Sequence, residues 1–380
     1  MDFNYTDEQT MLRDTVARYL ADTYTFDARM AVVDGKAGKA GWNPATWQAF
    51  AQELGILGAP FSEAHGGLGG GALENMIVME EFGRALVIEP YLSTVVIGGG
   101  FLKAVGGAIA DTVIPQIIEG KVVIAFAYAE PQGRYNLSDL RTTAKKEGAG
   151  YVLNGHKAVV YGAPWATHLI VTTRSGGGQR EREGVSVFLV PADAKGITRR
   201  DYPTVDGSQA SEVYFENVVV GADALLGAEG KGLPLVEQVV AEATAALCAE
   251  ACGVTRTLHA LTLDYAKQRK QFGKAIAEFQ VLQHRMVDMF LEVEQAVSMT
   301  LMATLKLDEK PLDRAKAVSA AKIKIAKACK AVGQGAVQIH GGMGITTELA
   351  TGHFFKRATM IEGQFGSMDH HLARFEALTD

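Results

Sequence analysis

The sequence predicts an α+β multidomain fold, with a central antiparallel β-sandwich or barrel between an N-terminal helical domain and a C-terminal helical bundle. Apolar residues follow a helical spacing in the first third of the 380-residue chain. Short runs of β-branched and aromatic residues replace that spacing in the middle third, and the helical spacing returns at Leu233. Because one core rarely organises so long a chain, we predict three domains, at residues 1–121, 122–228 and 229–380.

Two helix starts are encoded near the N-terminus. Thr6, with Gln9 three residues later, predicts a capping box in which each residue caps a backbone N–H of the other. Asn43 followed by Pro44 predicts the start of a second helix, and Gly55 predicts its end because glycine commonly follows the last helical turn. We therefore expect a helical N-terminal domain.

Two further segments of the first third invite a functional interpretation that their details do not support. The loop Gly66–Gly71 is glycine-rich but lacks the Lys-Ser/Thr ending of a phosphate loop, so we interpret it as a connection into a helix at Glu74–Leu86. The apolar stretch Tyr91–Leu102 is shorter than the roughly 20 residues that span a membrane. We expect neither a phosphate loop nor a membrane anchor.

The middle third has the composition of β-strands. Five short runs are rich in β-branched and aromatic residues and are separated by clusters of Gly, Asp, Asn and Pro. These runs are Val122–Ala127, Tyr151–Leu153, Leu169–Thr173, Val185–Val190 and Val213–Val220. Because no helical pattern lies between them, we expect antiparallel pairing.

Apolar stripes at helical spacing predict long helices in the C-terminal third. One stripe consists of Leu282, Met286, Met289, Val293 and Val297, and another of Val318, Ala321, Ile325, Ala328 and Val332. Four lysines are expected to lie mostly outside the second stripe, namely Lys322, Lys324, Lys327 and Lys330. Three or four such helices would bury their stripes against one another as a bundle.

Composition and charge exclude several function classes. The chain has a net charge of −6, with 37 basic and 43 acidic residues and no basic block, which argues against a nucleic-acid surface. The segment Met1–Leu12 carries acidic residues rather than the basic start of a signal peptide. Three cysteines, an odd number, suit a reducing compartment. With 48% hydrophobic residues, we expect a globular cytoplasmic protein without disulfides.

Two passages of the C-terminal third carry residues suited to a dinucleotide. The passage from Tyr265 to Gln280 contains Arg269 and Phe272, and residues 338–344 read Gln-Ile-His-Gly-Gly-Met-Gly. Alone, the arginine could be a solvated helix end and the glycine pair a turn. Together they offer a guanidinium, a stacking aromatic ring and exposed backbone amides, which can bind a pyrophosphate and an adenine.

With these passages, the chain resembles the acyl-CoA dehydrogenase family along its entire length. The matching passages, in the family's order and spacing, are Asp2–Arg13, Leu54–Gly58, Gly66–Gly69, Glu130–Pro131, Tyr151–Lys157, Glu212–Val218, Arg269–Gln280 and Gln338–Gly344. The resemblance implies a helical N-domain, a central β-domain and a C-terminal four-helix bundle. It also implies bound FAD and a tetramer built as a pair of dimers.

The resemblance implies that each FAD lies across a dimer interface, with its ring and the catalytic base on one protomer and its AMP half held by the other. Six residues match those that hold the adenosine and the pyrophosphate in the family. We call them the FAD clasp: Arg269, Phe272, Gln280, Gln338, Gly341 and Gly342.

The chain departs from the family where the base should be. In the family, a carboxylate removes the α-proton of an acyl-CoA while the β-hydrogen leaves as hydride to the flavin. Aligning residues 356–367 with the family's Tyr-Glu-Gly-Thr segment puts Phe365 at the glutamate. Some members place the base on the first bundle helix, at the position of Ala243 in this chain. Because neither residue can take a proton, the catalytic residues stay unassigned.

The segments that hold the flavin ring in the family are altered as well. The family's Thr-Glu-Pro becomes Ala129-Glu130-Pro131, and its Gly-Ser-Asp becomes Arg134-Tyr135-Asn136. Its Trp-Ile-Thr-Asn becomes Val159-Val160-Tyr161-Gly162. Hydroxyls that meet the ring in the family are therefore missing, whereas the FAD clasp is complete.

A chain that keeps only the clasp resembles the small, base-lacking subunits of heterotetrameric acyl-CoA dehydrogenases that act on dicarboxylic or steroid-derived CoA esters. The segments 130–136 and 365–371 look like that branch. The resemblance implies an acyl-CoA substrate, a second acyl-CoA dehydrogenase-like chain in an α2β2 assembly, and electron-transfer flavoprotein as acceptor. The corresponding role is in lipid or steroid catabolism.

Two alternatives stay open. The chain could be a self-sufficient homo-oligomeric dehydrogenase whose displaced base is Glu242, Glu362 or a loop residue, where the two glutamates lie one and three residues from the base positions. It could also be a scaffold subunit that binds no flavin. The pair His370-His371 is not interpreted as a metal site, because adjacent side chains on a helix diverge and no third ligand is suitably spaced.

Overall fold

The computed structural model describes residues 4–36 and 41–379. Asp2 and Phe3, which begin the first passage of family resemblance, lie outside these residues. The chain divides into two compact units, the first drawn from residues 1–30, 72–87 and 244–380 and the second from residues 31–71 and 88–243. The division into three domains at 1–121, 122–228 and 229–380 stays a prediction.

Helices and strands follow one another in the predicted order of helical, β and helical segments. The helices are α1 Asp7–Thr23, α2 Phe26–Val33, α3 Pro44–Gln52, α4 Ala72–Ala85, α5 Gly99–Val105, α6 Gly107–Ile118, α7 Leu233–Gln268, α8 Gln280–Leu305, α9 Pro311–His340, α10 Ala350–Gly363 and α11 Met368–Ala377. The strands are β1 Ile124–Ala127, β2 Thr143–Glu147, β3 Gly150–Tyr161, β4 His168–Arg174, β5 Val185–Pro191, β6 Ile197–Pro203, β7 Gln209–Gly221, β8 Lys270–Gln271 and β9 Lys274–Ala275.

The predicted helix starts are confirmed in the N-terminal region. Thr6 caps α1, and the reciprocal bonds of the capping box with Gln9 are both present. Asn43 caps α3, with Pro44 in its first turn. The predicted end at Gly55 is wrong, because α3 ends at Gln52 and Gly55, with φ of 66°, instead precedes a separate 3-10 turn.

The apolar stretch Tyr91–Leu102 forms a π-helix at Leu92–Gly98 that continues into α5. Its three glycines pack closely, because a methyl on Gly98 would lie 2.8 Å from Ile124 and one on Gly99 would lie 2.5 Å from the ring of Phe61. Within residues 4–36 and 41–379, no helix combines the length and the apolarity needed to cross a membrane.

Seven strands form one sheet in the second unit. Their order is β1-β4-β2-β3-β7-β6, with β5 paired to the other edge of β4. Four pairings are antiparallel as predicted, whereas β1 and β2 each pair with β4 in parallel. The parallel pairs join strands that are distant in the sequence, and such strands need no hairpin connection.

The sequence did not reveal strands β2 and β6. Their sequences, Thr-Ala-Lys-Lys-Glu and Ile-Thr-Arg-Arg-Asp-Tyr-Pro, are polar and mostly exposed. Both strands are therefore held by their pairing partners, β3 and β7, rather than by an apolar run of their own. Beneath the sheet, Leu153, Phe188 and Phe215 belong to one buried apolar cluster.

The long C-terminal helices confirm both apolar stripes. The central residues of the α8 stripe and the whole α9 stripe are buried. Lys322 is the exception among the four lysines expected mostly outside the stripe, because its side chain is fully buried. It lies four residues after Val318 and three before Ile325, which places it on the same helix face as the stripe. The three cysteines are free and buried.

Candidate functional site

Arg269 and Phe272 lie on a short hairpin that follows α7. Arg269 is the first residue after the helix, and the strands β8 and β9 are joined by Phe272 and Gly273, with φ of 55° and 82°. Two consecutive positive φ angles are those of a tight two-residue hairpin turn, and they are strained for phenylalanine. The ring of Phe272 is 91% exposed. A strained, exposed aromatic residue at a rigid hairpin tip is well placed for contact with another molecule.

The glycine pair begins a 3-10 turn at the end of α9. Gly341 has φ of 62°, and a methyl on Gly341 or Gly342 would find no atom within 4 Å. The ring of Tyr265 on α7 stacks on His340 with centroids 4.3 Å apart, and its hydroxyl donates to the His340 carbonyl oxygen at 3.4 Å. These contacts bring the end of α7, and with it Arg269, to the end of α9.

The two glutamines of the FAD clasp lie at the same end of the helical unit. Gln280 is the first residue of α8 and Gln338 lies in the last turn of α9. The helices run antiparallel, since a methyl on Gly335 of α9 would lie 2.8 Å from Met289 of α8, whereas the earlier Lys324 of α9 pairs with the later Glu292 of α8 at 2.6 Å. Both glutamine side chains are exposed. All six clasp residues thus share one end of the first unit.

The residues of the FAD clasp suit the AMP half of FAD. Among the described residues, no carboxylate forms an ion pair with the Arg269 guanidinium, which leaves it able to bind a pyrophosphate through charge-assisted hydrogen bonds. Phe272 offers an exposed ring for stacking, and the open backbone at Gly341 and Gly342 allows a ligand to approach closely. In this half of the site, the chemistry of the residues fits the cofactor that the resemblance implies.

The first base position carries no ionisable group. Ala243 is fully buried on α7. Its neighbour Glu242 is half-buried, accepts a hydrogen bond from Gln238 Nε2 at 3.1 Å, and would lie 3.1 Å from a methyl on Gly100. The carboxylate of Glu242 therefore faces the glycine side of α5.

The second base position lies in the turn between α10 and α11. Phe365 has φ of 58°, its ring is buried, and Ser367 caps α11 through a bond from the His370 amide. The buried Lys322 ammonium donates to the carbonyl oxygens of Ile361, Glu362 and Gly366 at 2.8–2.9 Å. Burial lowers the pKa of Lys322, and the three carbonyl oxygens compensate part of the lost hydration.

His371 holds the same turn from the other side. Its Nε2 lies 3.2 Å from the Phe365 carbonyl oxygen, which only accepts, so Nε2 carries the proton and Nδ1 accepts from the Ser319 hydroxyl at 3.3 Å. Burial, with the Lys322 charge nearby, lowers the pKa of His371 to about 3. The imidazole is neutral at pH 7, and the turn presents a phenyl ring rather than a proton acceptor.

Glu362 lies on the last turn of α10, with its side chain half-buried. Its carbonyl oxygen is held by Lys322 at 2.9 Å, which fixes the backbone at this position. The rings of His370 and His371 are nearly perpendicular, with centroids 5.2 Å apart. In the part of the chain that the structure describes, no group of three His, Cys, Asp or Glu side chains could hold a metal ion.

In the second unit, Glu130 is a structural anion. It accepts from Lys157 Nζ at 2.8 Å and from the amides of Arg141 and Thr142 at 2.7 and 3.1 Å. Burial alone would raise the pKa of Glu130, but the Lys157 charge and these hydrogen bonds hold it at about 2. The buried pair fixes the end of β1 against β3, next to Ala129.

The residues at the ring-binding positions do not fit a flavin ring. Ala129 has no hydroxyl, and tyrosines occupy position 135 and position 161. Val159, at the family's tryptophan, has φ of 53° and is 43% exposed. A β-branched residue in this conformation is a genuine outlier. The half of the site that would hold the ring therefore lacks the small hydroxyl side chains that the family uses there.

Sequence reasoning missed two residues that shape these positions. Lys322 could have been found from its place within the apolar spacing of α9, where a lysine must be buried or break the stripe. Tyr128 follows β1 and stacks on Phe126. No signal in the sequence indicated it, because an aromatic residue next to a strand end is common.

Comparisons with known proteins cover most of the chain. Models of the N-terminal, middle and C-terminal domains of acyl-CoA dehydrogenase match residues 6–121, 125–218 and 230–375. The probable acyl-CoA dehydrogenase YngJ of Bacillus subtilis is 30% identical over 371 residues, covering 95% of both chains. The caffeyl-CoA reductase-Etf complex subunit CarC of Acetobacterium woodii is 30% identical and covers 78% of this chain and 79% of its own.

One solved structure is also similar to this chain over nearly its whole length. The Tcur3481-Tcur3483 steroid ACAD G363A variant has a TM-score of 0.88 and 26% sequence identity, and the match covers 98% of each chain. The predicted fold class is confirmed.

Proposed function

We propose a function for this chain on one premise, that it belongs to the acyl-CoA dehydrogenase family. Members of this family are oxidoreductases that bind FAD and carry out flavin-dependent dehydrogenation. Our proposal is that this chain acts in the α,β-dehydrogenation of an acyl-CoA as a subunit of an α2β2 heterotetramer. It completes the FAD site of its partner and does not supply the base.

One contrast supports this proposal above all. The FAD clasp is complete, exposed and open at Gly341 and Gly342, whereas Ala243 and Phe365 occupy the two base positions. In a symmetric homodimer, each site would combine a complete clasp with a ring side that lacks the family's small hydroxyl residues. Pairing with a chain that carries the base and the family's ring-binding residues gives one complete FAD site per heterodimer.

When bound, FAD would supply the hydride acceptor for the β-hydrogen. The residues of this chain would bind and orient the AMP half of the cofactor. Arg269 would hold the pyrophosphate, and Phe272 would stack on the adenine. The backbone at Gly341 would let the AMP half of FAD approach closely. The partner would contribute the carboxylate that removes the α-proton, and electron-transfer flavoprotein would accept the electrons.

Two of the relatives are consistent with this arrangement. The name of CarC places it in a complex with Etf, and the solved structure at 26% identity is described by two chain names and as a steroid ACAD. By analogy, we propose a second dehydrogenase-like chain as partner and an acyl-CoA ester of lipid or steroid origin as substrate.

Co-expression tests the proposal directly. The partner should be an acyl-CoA dehydrogenase-like chain with a glutamate at a base position and an intact Thr-Glu-Pro loop. We expect a heterotetramer on size exclusion with one flavin per heterodimer. One flavin per chain, or a stable flavin-loaded homotetramer without affinity for such a partner, would contradict it.

The second candidate function is a self-sufficient dehydrogenase, and the observation in its favour is the half-buried Glu242 beside Gly100. The visible spectrum of the chain purified alone separates these candidates. A self-sufficient enzyme retains flavin and is bleached by substrate, whereas the proposed subunit becomes yellow only with its partner. A chain that stays colourless with the partner as well would be the flavin-free scaffold.

A further inference from the structure

Three tyrosines lie near one another on the second unit, at positions where the family would bind the flavin ring. Tyr128 follows β1, Tyr161 is the last residue of β3, and Tyr135 lies in the loop between β1 and β2. We call these residues the tyrosine cluster. The clasp lies on the first unit, so the cluster is a separate feature of the chain.

The ring of Tyr128 packs against other aromatic rings. It stacks on Phe126 with centroids 4.8 Å apart and ring planes at 20°, and Phe126 packs against the buried Phe101 at 5.3 Å. Residues 126 and 128 share a face because side chains alternate along an extended chain. Aromatic pairs of this geometry are favourable beyond the area that they bury.

The backbone places the segment that carries Tyr161 beside the segment that carries Tyr128. The Ala158 amide donates to the Ala129 carbonyl oxygen at 2.9 Å, which joins β3 to the end of β1. A β-bulge between Lys157 and Val160 then redirects the strand before Tyr161. Burial raises the pKa of Tyr128, and the nearby Tyr161 and Tyr135 raise it further in the same direction.

The loop that carries Tyr135 returns to the sheet through two tight turns. The Gly133 amide donates to the Glu130 carbonyl oxygen at 3.0 Å, and the Asn136 amide donates to the Gly133 carbonyl oxygen at 2.9 Å. Arg134, between them, has φ of 47°. The buried ion pair of Glu130 anchors the start of this loop.

Two tyrosines replace the small hydroxyl residues of the family, serine at position 135 and threonine at position 161. Each replacement adds a phenyl ring to the surface that would face a flavin. From the stacked Tyr128 and these two rings, we infer that the tyrosine cluster fills the ring site of this chain with its own aromatic side chains. It thereby excludes isoalloxazine and reserves the FAD clasp for a partner.

This inference rests on the proposed function in one respect, namely that the clasp serves the FAD of a partner. Its test does not involve the clasp. Riboflavin carries the ring without the pyrophosphate and the adenosine, so it reports on the ring site alone. The isolated chain is titrated into riboflavin and the quenching of flavin fluorescence is followed. We expect no saturable binding to the wild-type chain, and saturable binding by wild type would overturn the inference without any substitution.

Substitutions that restore the family's side chains should create riboflavin binding. Ala129→Thr, Tyr135→Ser and Tyr161→Thr together restore the family's side chains, and we expect riboflavin to bind at least about tenfold more tightly than to wild type. The single variants Tyr135→Ser and Tyr161→Thr should show part of this gain, and they serve where the triple variant does not fold. Tyr214→Thr, on β7 of the same sheet, is the matched control and should gain nothing.

Two experiments, riboflavin binding by the variants and flavin retention by the heterotetramer, separate this inference from the proposed function. Folded variants that bind riboflavin no better than wild type would overturn the filled ring site, while leaving the clasp as proposed. In contrast, normal flavin retention in a heterotetramer that contains Arg269→Ala would overturn the clasp and leave the tyrosine cluster unaffected.

Discussion

Gly83 on α4 and Gly253 on α7 form a reciprocal contact between two helices. A methyl on Gly83 would collide with the carbonyl oxygen of Glu250 on α7, and one on Gly253 would collide with that of Glu80 on α4. The two backbones thus approach each other without side chains between them. The crossing fixes the part of α7 that leads to Tyr265 and the FAD clasp.

Gly253→Ala should destabilise the first unit, because the obstructing atoms belong to a helix backbone and cannot swing away. We expect the free energy of unfolding to fall by about 1–3 kcal/mol, despite the better helix propensity of alanine. Gly176→Ala, at a loop position with open space, is the control and should stay within about 0.5 kcal/mol of wild type. Equal effects of the two substitutions in denaturant melts would refute the close crossing.

The ion pair of Glu130 and Lys157 should make the fold sensitive to acid. The folded pKa of Glu130, about 2, lies below the ordinary value of 4.5, so its stabilisation is present above pH 4.5 and is lost as the pH falls towards 2. The difference corresponds to about 3 kcal/mol. Glu130→Gln should remove this dependence and lower stability at pH 7 by about 3–5 kcal/mol, since Lys157 stays buried without its counterion and keeps only the Tyr128 carbonyl and the Thr172 hydroxyl as partners. Unfolding curves at pH 7 and pH 3 would show it.

His371 predicts a second loss of stability in a different pH range. Its folded pKa of about 3 lies below the ordinary 6.5, so the unfolded chain takes up the proton first and stability decreases as the pH falls from 6.5 towards 3. The contribution is about 1.4 kcal/mol per pH unit in this range. In His371→Gln, the slope of unfolding free energy between pH 6.5 and 4.5 should be smaller by this amount. An unchanged slope would place a charged imidazole in the turn.

Arg269→Ala should weaken flavin retention by the assembled heterotetramer. Loss of charge-assisted hydrogen bonds to the pyrophosphate is expected to cost about 1.5–3 kcal/mol, or ten- to a hundredfold in affinity. Lys267→Ala removes an equal charge from the exposed last turn of α7 and should have little effect. Flavin release measured by ultrafiltration compares the two variants.

The isolated chain should not transfer electrons from an acyl-CoA to an artificial acceptor, even with excess FAD. Ala243 and Phe365 offer no proton acceptor at the two base positions. Robust turnover that disappears in Glu242→Gln or Glu362→Gln would favour the self-sufficient enzyme instead. Lys267→Ala again serves as the control that should leave any turnover intact.

The sequence by itself determined the fold class, the capped starts of α1 and α3, and the apolar stripes of α8 and α9. These features depend on local propensity and on the period of apolar residues, which the sequence displays directly. The family resemblance also identified the six clasp residues, and their role stays a prediction.

Only the tertiary structure decided features that depend on partners distant in the chain. The polar strands β2 and β6 exist through pairing with β3 and β7, and Lys322 is buried because the carbonyl oxygens of residues 361, 362 and 366 replace its water. The tyrosine cluster likewise joins residues 128, 135 and 161 from three segments. The apolar spacing of α9 indicates that Lys322 is buried, but local sequence does not indicate its carbonyl partners or the other pairings, because the fold decides which distant segments come together.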